Sequence, residues 1–106
     1  MAWVYLVFAG ILEIVWAFAM KQSDGFTRAG ASAVTIVAMI ASFALLSMSM
    51  RSLPLGTAYT IWTGIGAVGA FVLGVVALGE QATPLRIFAA VLIVAGLVLM
   101  KLSAGE

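Results

Sequence analysis

Two long stretches of this chain carry no charged side chain, and they restrict its possible folds more than any other feature. Residues 29–50 and 52–79 contain no Asp, Glu, Lys or Arg, and each exceeds the roughly 20 residues with which an α-helix crosses a bilayer. Across all 106 residues, 65% are hydrophobic and 8% are charged, whereas a soluble domain usually carries about 25% charged residues. The sequence therefore predicts a membrane protein.

Four apolar segments of transmembrane length follow one another along the chain. They cover approximately residues 2–20, 30–50, 56–78 and 84–102. Isolated strands are excluded in lipid because their backbone groups would stay unpaired. The connections are short and rich in Gly, Pro, Ser and Asp, so neighbouring helices should run antiparallel. We expect residues 1–106 to form a single four-helix transmembrane domain of the all-α class.

Composition excludes several classes of function. The chain has no Cys and no His, which excludes disulfides, zinc fingers, thiolate nucleophiles and histidine bases, and we predict no metal site. A net charge of +1 without a basic cluster argues against nucleic-acid binding. No phosphate-binding glycine motif is present, so ATP-driven transport by this chain alone has no support. We expect no catalytic residues and no cofactor.

The positive charges are balanced between the two ends of the predicted helices. One end carries Lys21, Arg28 and Arg86, and the other carries Arg51, Lys101 and the N-terminal amine. Because an excess of Lys and Arg normally fixes orientation, this chain is a candidate for insertion both ways up. Two oppositely inserted copies would form an antiparallel dimer with the inverted symmetry that many secondary transporters use.

Glu13 is the only ionisable carboxylate within the four apolar segments. A charge at that depth costs at least about 2.5–3.5 kcal/mol and usually marks an ion pathway. Small residues precede it one turn earlier, at Ala9 and Gly10, and Trp16 and Ala17 follow one turn later. Small side chains beside an aromatic ring favour a cavity around the carboxylate rather than a packed seam.

Three further side chains are candidates for the same site, each with an alternative interpretation. Ser42 either lines the site or bonds within its own helix. Tyr59 and Trp62, one helical turn apart near the start of the third segment, fit either a cation site or the aromatic belt at the bilayer surface. Together these residues offer a hydroxyl, a phenol and an indole.

Glycines and small residues indicate close helix packing elsewhere. Gly64 and Gly66 suit either a hinge or tight packing in the third segment. A stripe on the fourth segment is predicted to be a contact between subunits. Its members are Ala89, Leu92, Ile93 and Gly96.

Glu13 is also the one intramembrane group that can carry a proton at physiological pH. Burial disfavours the charged form of a carboxylate, and a second Glu13 from a partner subunit would add repulsion. A proton and a cation would then compete for the pair. This competition predicts proton-coupled cation antiport, driven by the proton gradient without covalent chemistry.

The motifs resemble those of the small multidrug resistance family over essentially the whole chain. They are Gly10, Glu13 and Trp16, the segment 21–27 (KQSDGFT) and the segment 54–66 (PLGTAYTIWTGIG). Trp16-Ala17, Ala41-Ser42-Phe43 and the segment 61–70 (IWTGIGAVGA) are similar to the guanidinium exporter subtype.

This resemblance implies an antiparallel, dual-topology homodimer in a bacterial inner membrane that exchanges guanidinium for protons. It also implies roles for single residues. Glu13 would bind a proton or the substrate, Ser42 would orient it, and Trp16 and Trp62 would wall the site. Tyr59 would contribute its hydroxyl, and Gly10 would leave space beside the carboxylate.

The sequence is also compatible with other functions. Within the family, the alternative is an exporter of quaternary ammonium and other lipophilic cations, because the tryptophans could hold such cations too. Outside it, a proton-carrying rotor subunit also places one carboxylate in a small apolar protein, and a purely structural membrane subunit is a further alternative.

Overall fold

Four long α-helices make up the architecture, which was obtained as a computed structural model and is described for residues 1–103. The helices are α1 (Ala2–Gln22), α2 (Ala29–Ser49), α3 (Leu55–Leu78) and α4 (Pro84–Ser103). Each is long and apolar enough to cross a membrane. The prediction of an all-α chain with four transmembrane helices is therefore confirmed, and the protein is a multi-pass membrane protein.

The turns that follow α1 and α3 contain residues with left-handed backbone conformation. Gly79, with φ of 69°, ends α3, and the amide of Glu80 then donates to the carbonyl of Gly74 at 3.0 Å. Between α1 and α2, Asp24, Gly25 and Phe26 have φ values of 51°, 71° and 66°. These conformations reverse the chain within a few residues.

The helices form a thin layer rather than a closed bundle. α1 packs against both α2 and α3, and α4 packs against α3. The chain measures 42 × 34 × 16 Å, and within the described residues α4 does not pack against α2. This open arrangement leaves wide helix faces for the bilayer or for another chain.

Interior packing is concentrated between α1, α2 and α3. Trp62 and Ile61 are 6% and 4% exposed, and the rest of the buried cluster is small or aliphatic. Its other members are Leu6, Ala9, Leu46, Leu53 and Ala58. α4 has no buried residue, although the ammonium group of Lys101 lies 4.4 Å from the ring centroid of Trp3 on α1.

Candidate functional site

Glu13 of α1 lies against α3 at Gly66, where the lack of a side chain makes room for its carboxyl group. A Cβ atom on Gly66 would lie 2.7 Å from Cγ of Glu13 and even closer to its carboxyl group. Carbon atoms in van der Waals contact are about 3.5–4.0 Å apart. The missing side chain of Gly66 is thus the space that the Glu13 carboxyl group occupies.

Ser42 of α2 joins the three packed helices through two hydrogen bonds. Its hydroxyl donates to the carbonyl of Ala9 on α1 at 2.7 Å, and it accepts from the indole Nε1 of Trp62 on α3 at 3.0 Å. Ala9 precedes Glu13 by one turn, and Trp62 precedes Gly66 by one turn. Ser42 therefore bonds across helices rather than within its own.

This bonding pattern fixes what Ser42 can offer a ligand. A hydroxyl has one hydrogen and two lone pairs. The hydrogen is donated to Ala9, and one lone pair accepts from Trp62. The remaining capacity of Ser42, which is fully buried, is therefore a single acceptor position, and a ligand that reached it would have to donate a hydrogen bond.

A chain of four aromatic rings borders the site. The Trp16 and Phe43 centroids are 6.3 Å apart at an interplanar angle of 73°, and those of Phe43 and Trp62 are 5.7 Å apart at 59°. Tyr59 continues the chain, 5.6 Å from Trp62. Edge-on and tilted contacts of this kind are favourable between aromatic rings. Phe43 and Tyr59 are exposed, and their π-faces can attract a cation.

Two polar atoms of the site are buried without a partner. Within residues 1–103, Oε1 of Glu13 and Nε1 of Trp16 have no hydrogen-bond partner. Leaving a buried polar group unpaired costs about 1–3 kcal/mol, and both atoms belong to one face of α1. The site thus combines a buried acceptor, a buried donor and aromatic surface.

The two predicted hinge or packing glycines and Gly10 have different neighbours. A Cβ atom on Gly10 would meet Cγ2 of Ile65 at 2.6 Å, so the space beside Gly10 is filled by α3 and not by the Glu13 carboxyl group. Gly64 faces Leu97 of α4, whose Cγ would lie 3.0 Å from such an atom. α3 is continuous through Gly64 and Gly66.

The stripe predicted to contact a second subunit is accessible in the single chain. Ala89, Leu92, Ile93 and Gly96 are all exposed on α4, with Leu92 at 56% and Ile93 at 40%. Their role in a dimer therefore stays a prediction.

Two residues of the site were not predicted from the sequence. Phe43 lies between Trp16 and Trp62 in the chain of rings, and its position next to Ser42 was the available signal. Ile65 fills the space beside Gly10, and no feature of an isoleucine among many apolar residues indicates such a contact.

Fold and site together define a small multi-pass membrane protein with one carboxylate among aromatic rings inside its spans. The sequence also matches the family model described as Small Multidrug Resistance protein over residues 1–93. The chain belongs to the small multidrug resistance family, as its motifs predicted, and is a membrane transporter of that family.

Its relatives match over nearly their whole length. The guanidinium exporters of Citrobacter freundii and Salmonella typhimurium are both 55% identical over 103 residues, which cover 97% of this chain and 98% of each relative. The guanidinium exporter of Escherichia coli (strain K12) is 54% identical over the same coverage. All three relatives are bacterial proteins.

Proposed function

We propose that this protein exports guanidinium across a bacterial inner membrane in exchange for protons. The observation that carries the proposal is the Glu13 carboxyl group, which is seated on Gly66 with Oε1 buried and unpaired among residues 1–103. Relatives named guanidinium exporters are 54–55% identical. Glu13 is the group for which proton and cation would compete.

Guanidinium matches the chemistry of the site better than a cation without hydrogen-bond donors. Its planar fork of N–H groups pairs with a carboxylate through two bonds, and Ser42 has one acceptor position left. The faces of the ion can stack on Trp16, which is partly exposed, while the buried Trp62 supports the site from behind through Ser42. Tyr59 has its ring against Trp62 and is 52% exposed, so its hydroxyl can add a further contact.

An antiparallel homodimer is part of the proposal. Within the described residues α4 packs against α3 but not against α2, so the four helices of one chain do not close around a cation path. The predicted contact stripe is accessible on α4, and the positive charges are balanced between the two ends of the helices. Two oppositely inserted copies would bring two Glu13 side chains to one pathway and alternate its access.

Flux measurements with the purified chain in proteoliposomes test the substrate. We expect saturable guanidinium uptake that is lost in Glu13→Gln, with little uptake of tetraethylammonium or tetraphenylphosphonium. Substantial uptake of these bulky cations would instead favour a multidrug exporter. Absence of guanidinium uptake by the wild-type chain would contradict the proposal.

Orientation is tested separately by adding two lysines to one loop. We expect the variant to insert one way up and to lose transport on its own. Transport should return when it is combined with a chain biased the opposite way. Full transport by a chain shown to be locked in one orientation would contradict the antiparallel dimer.

A further inference from the structure

A second carboxylate, Glu80, lies at the mouth of a cavity between α1 and α3. This cavity has a volume of about 320 Å³, and its charged lining residues are Lys21 and Glu80. The rest of its lining includes Ala17, Ala67 and Ala70. Glu13 is not among the lining residues, so this space is distinct from the immediate surroundings of the Glu13 carboxyl group.

The Glu80 side chain folds back onto the end of α3. A Cβ atom on the buried residue Gly74 would lie 2.8 Å from the carboxyl carbon of Glu80 and closer still to one of its oxygens. The Glu80 amide also donates to the Gly74 carbonyl at 3.0 Å. The C-terminal end of a helix is its negative end. A carboxylate held there adds negative charge to a lining that also contains the ammonium group of Lys21.

The carboxyl groups of Glu13 and Glu80 both lie against one stripe of small residues on α3. Gly66 accommodates the Glu13 carboxyl group and Gly74 accommodates that of Glu80, and these glycines are two i,i+4 steps apart with Ala70 between them. Eight residues of α-helix rise by about 12 Å. The cavity occupies the space between, because it is lined by Ala70 and by Ala17, which follows Glu13 by one turn.

We propose that Glu80 is a second cation subsite, which passes a small, donor-rich cation along the α1–α3 cavity to or from Glu13. This inference rests on the proposed guanidinium transport, and Glu80 would form the outer part of the guanidinium pathway. Lys21 lines the same mouth. Its ammonium group repels the cation, which shortens the residence time of the cation at Glu80. In an antiparallel dimer each face of the membrane would have one such mouth.

Guanidinium flux in proteoliposomes at low and high salt tests this subsite. Glu80→Gln keeps the shape and the backbone hydrogen bond but removes the charge, and we expect KM to rise about three- to tenfold with Vmax within twofold of the wild type. Most of this difference should disappear at high salt, because exposed charges are screened. Lys21→Gln should lower KM, an opposite effect that a structural role of this end would not produce.

Asp24→Asn is the matched control. It removes one negative charge from the same end of the molecule, Asp24 does not line the cavity, and Asn tolerates its left-handed backbone. We expect an unchanged KM. The subsite is refuted if Glu80→Gln leaves KM unchanged, if Asp24→Asn raises it equally, or if Glu80→Gln lowers Vmax alone. Wild-type flux separates the two proposals, since its absence contradicts guanidinium transport itself.

Discussion

Gly66→Ala should displace the carboxyl group on which the proposed transport depends. The new Cβ atom would lie 2.7 Å from Cγ of Glu13, about 1 Å inside the normal contact distance of about 3.5–4.0 Å. α1 and α3 are packed against each other, so we expect the carboxyl group to move by about the same amount.

The effect of Gly66→Ala on stability and on guanidinium binding can be given a magnitude. Overpacking costs about 1–3 kcal/mol, whereas alanine favours the helix over glycine by about 1 kcal/mol. The free energy of unfolding should therefore fall by about 0–2 kcal/mol. A hydrogen bond to a charged group contributes about 1.5–3 kcal/mol, and losing it would weaken guanidinium binding by about 10- to 100-fold.

Binding is measured by the quenching of tryptophan fluorescence in detergent, and flux is measured in proteoliposomes. Gly56→Ala is the control, because it makes the same change in the same helix where no atom lies within 4 Å of the new Cβ. It should bind guanidinium like the wild type. Equal affinities of Gly66→Ala and Gly56→Ala would show that the space at Gly66 does not position the Glu13 carboxyl group. A lower Vmax at unchanged affinity would favour the hinge interpretation of Gly66.

Two further predictions concern the contacts that hold the site. Ser42→Ala leaves the buried Trp62 indole N–H without its acceptor, so the free energy of unfolding should fall by about 1–3 kcal/mol. Thermal unfolding measures this loss, with Ser47→Ala, at an exposed serine of the same helix, as the control. Equal destabilisation by the two substitutions would contradict the prediction. Gly10→Ala should destabilise the protein by about 1–3 kcal/mol because its Cβ meets Ile65. Adding Ile65→Ala should restore part of that loss, and a purely additive double variant would show that the two residues are not in contact.

The sequence was sufficient to predict the four helices, and it singled out Glu13 as the candidate residue of the site. Charge-free segments in the second and third quarters of the chain left no alternative to membrane-spanning helices, because lipid leaves backbone groups no other partner. Glu13 stood out for a similar reason, since a single carboxylate in an apolar segment needs a function to explain its cost.

Contacts between helices could not be predicted in the same way. A period of 3.6 residues indicates which residues share a face of one helix, but it does not indicate what lies opposite. The sequence therefore predicted Gly10 for the space beside Glu13 and a hinge or packing role for Gly66, whereas the structure has Ile65 against Gly10 and the Glu13 carboxyl group against Gly66. The hydrogen bond from Ser42 on α2 to the carbonyl of Ala9 on α1 could not be predicted from the sequence for the same reason.

A pH-sensitive dye inside proteoliposomes tests whether guanidinium movement is coupled to proton movement. The liposomes contain only this protein, and guanidinium is added outside. Inward movement of guanidinium in exchange for outward movement of protons should make the lumen more alkaline, saturably with guanidinium concentration. Glu13→Gln should abolish the signal. Guanidinium uptake without any change of luminal pH, or an unchanged signal in Glu13→Gln, would contradict the account.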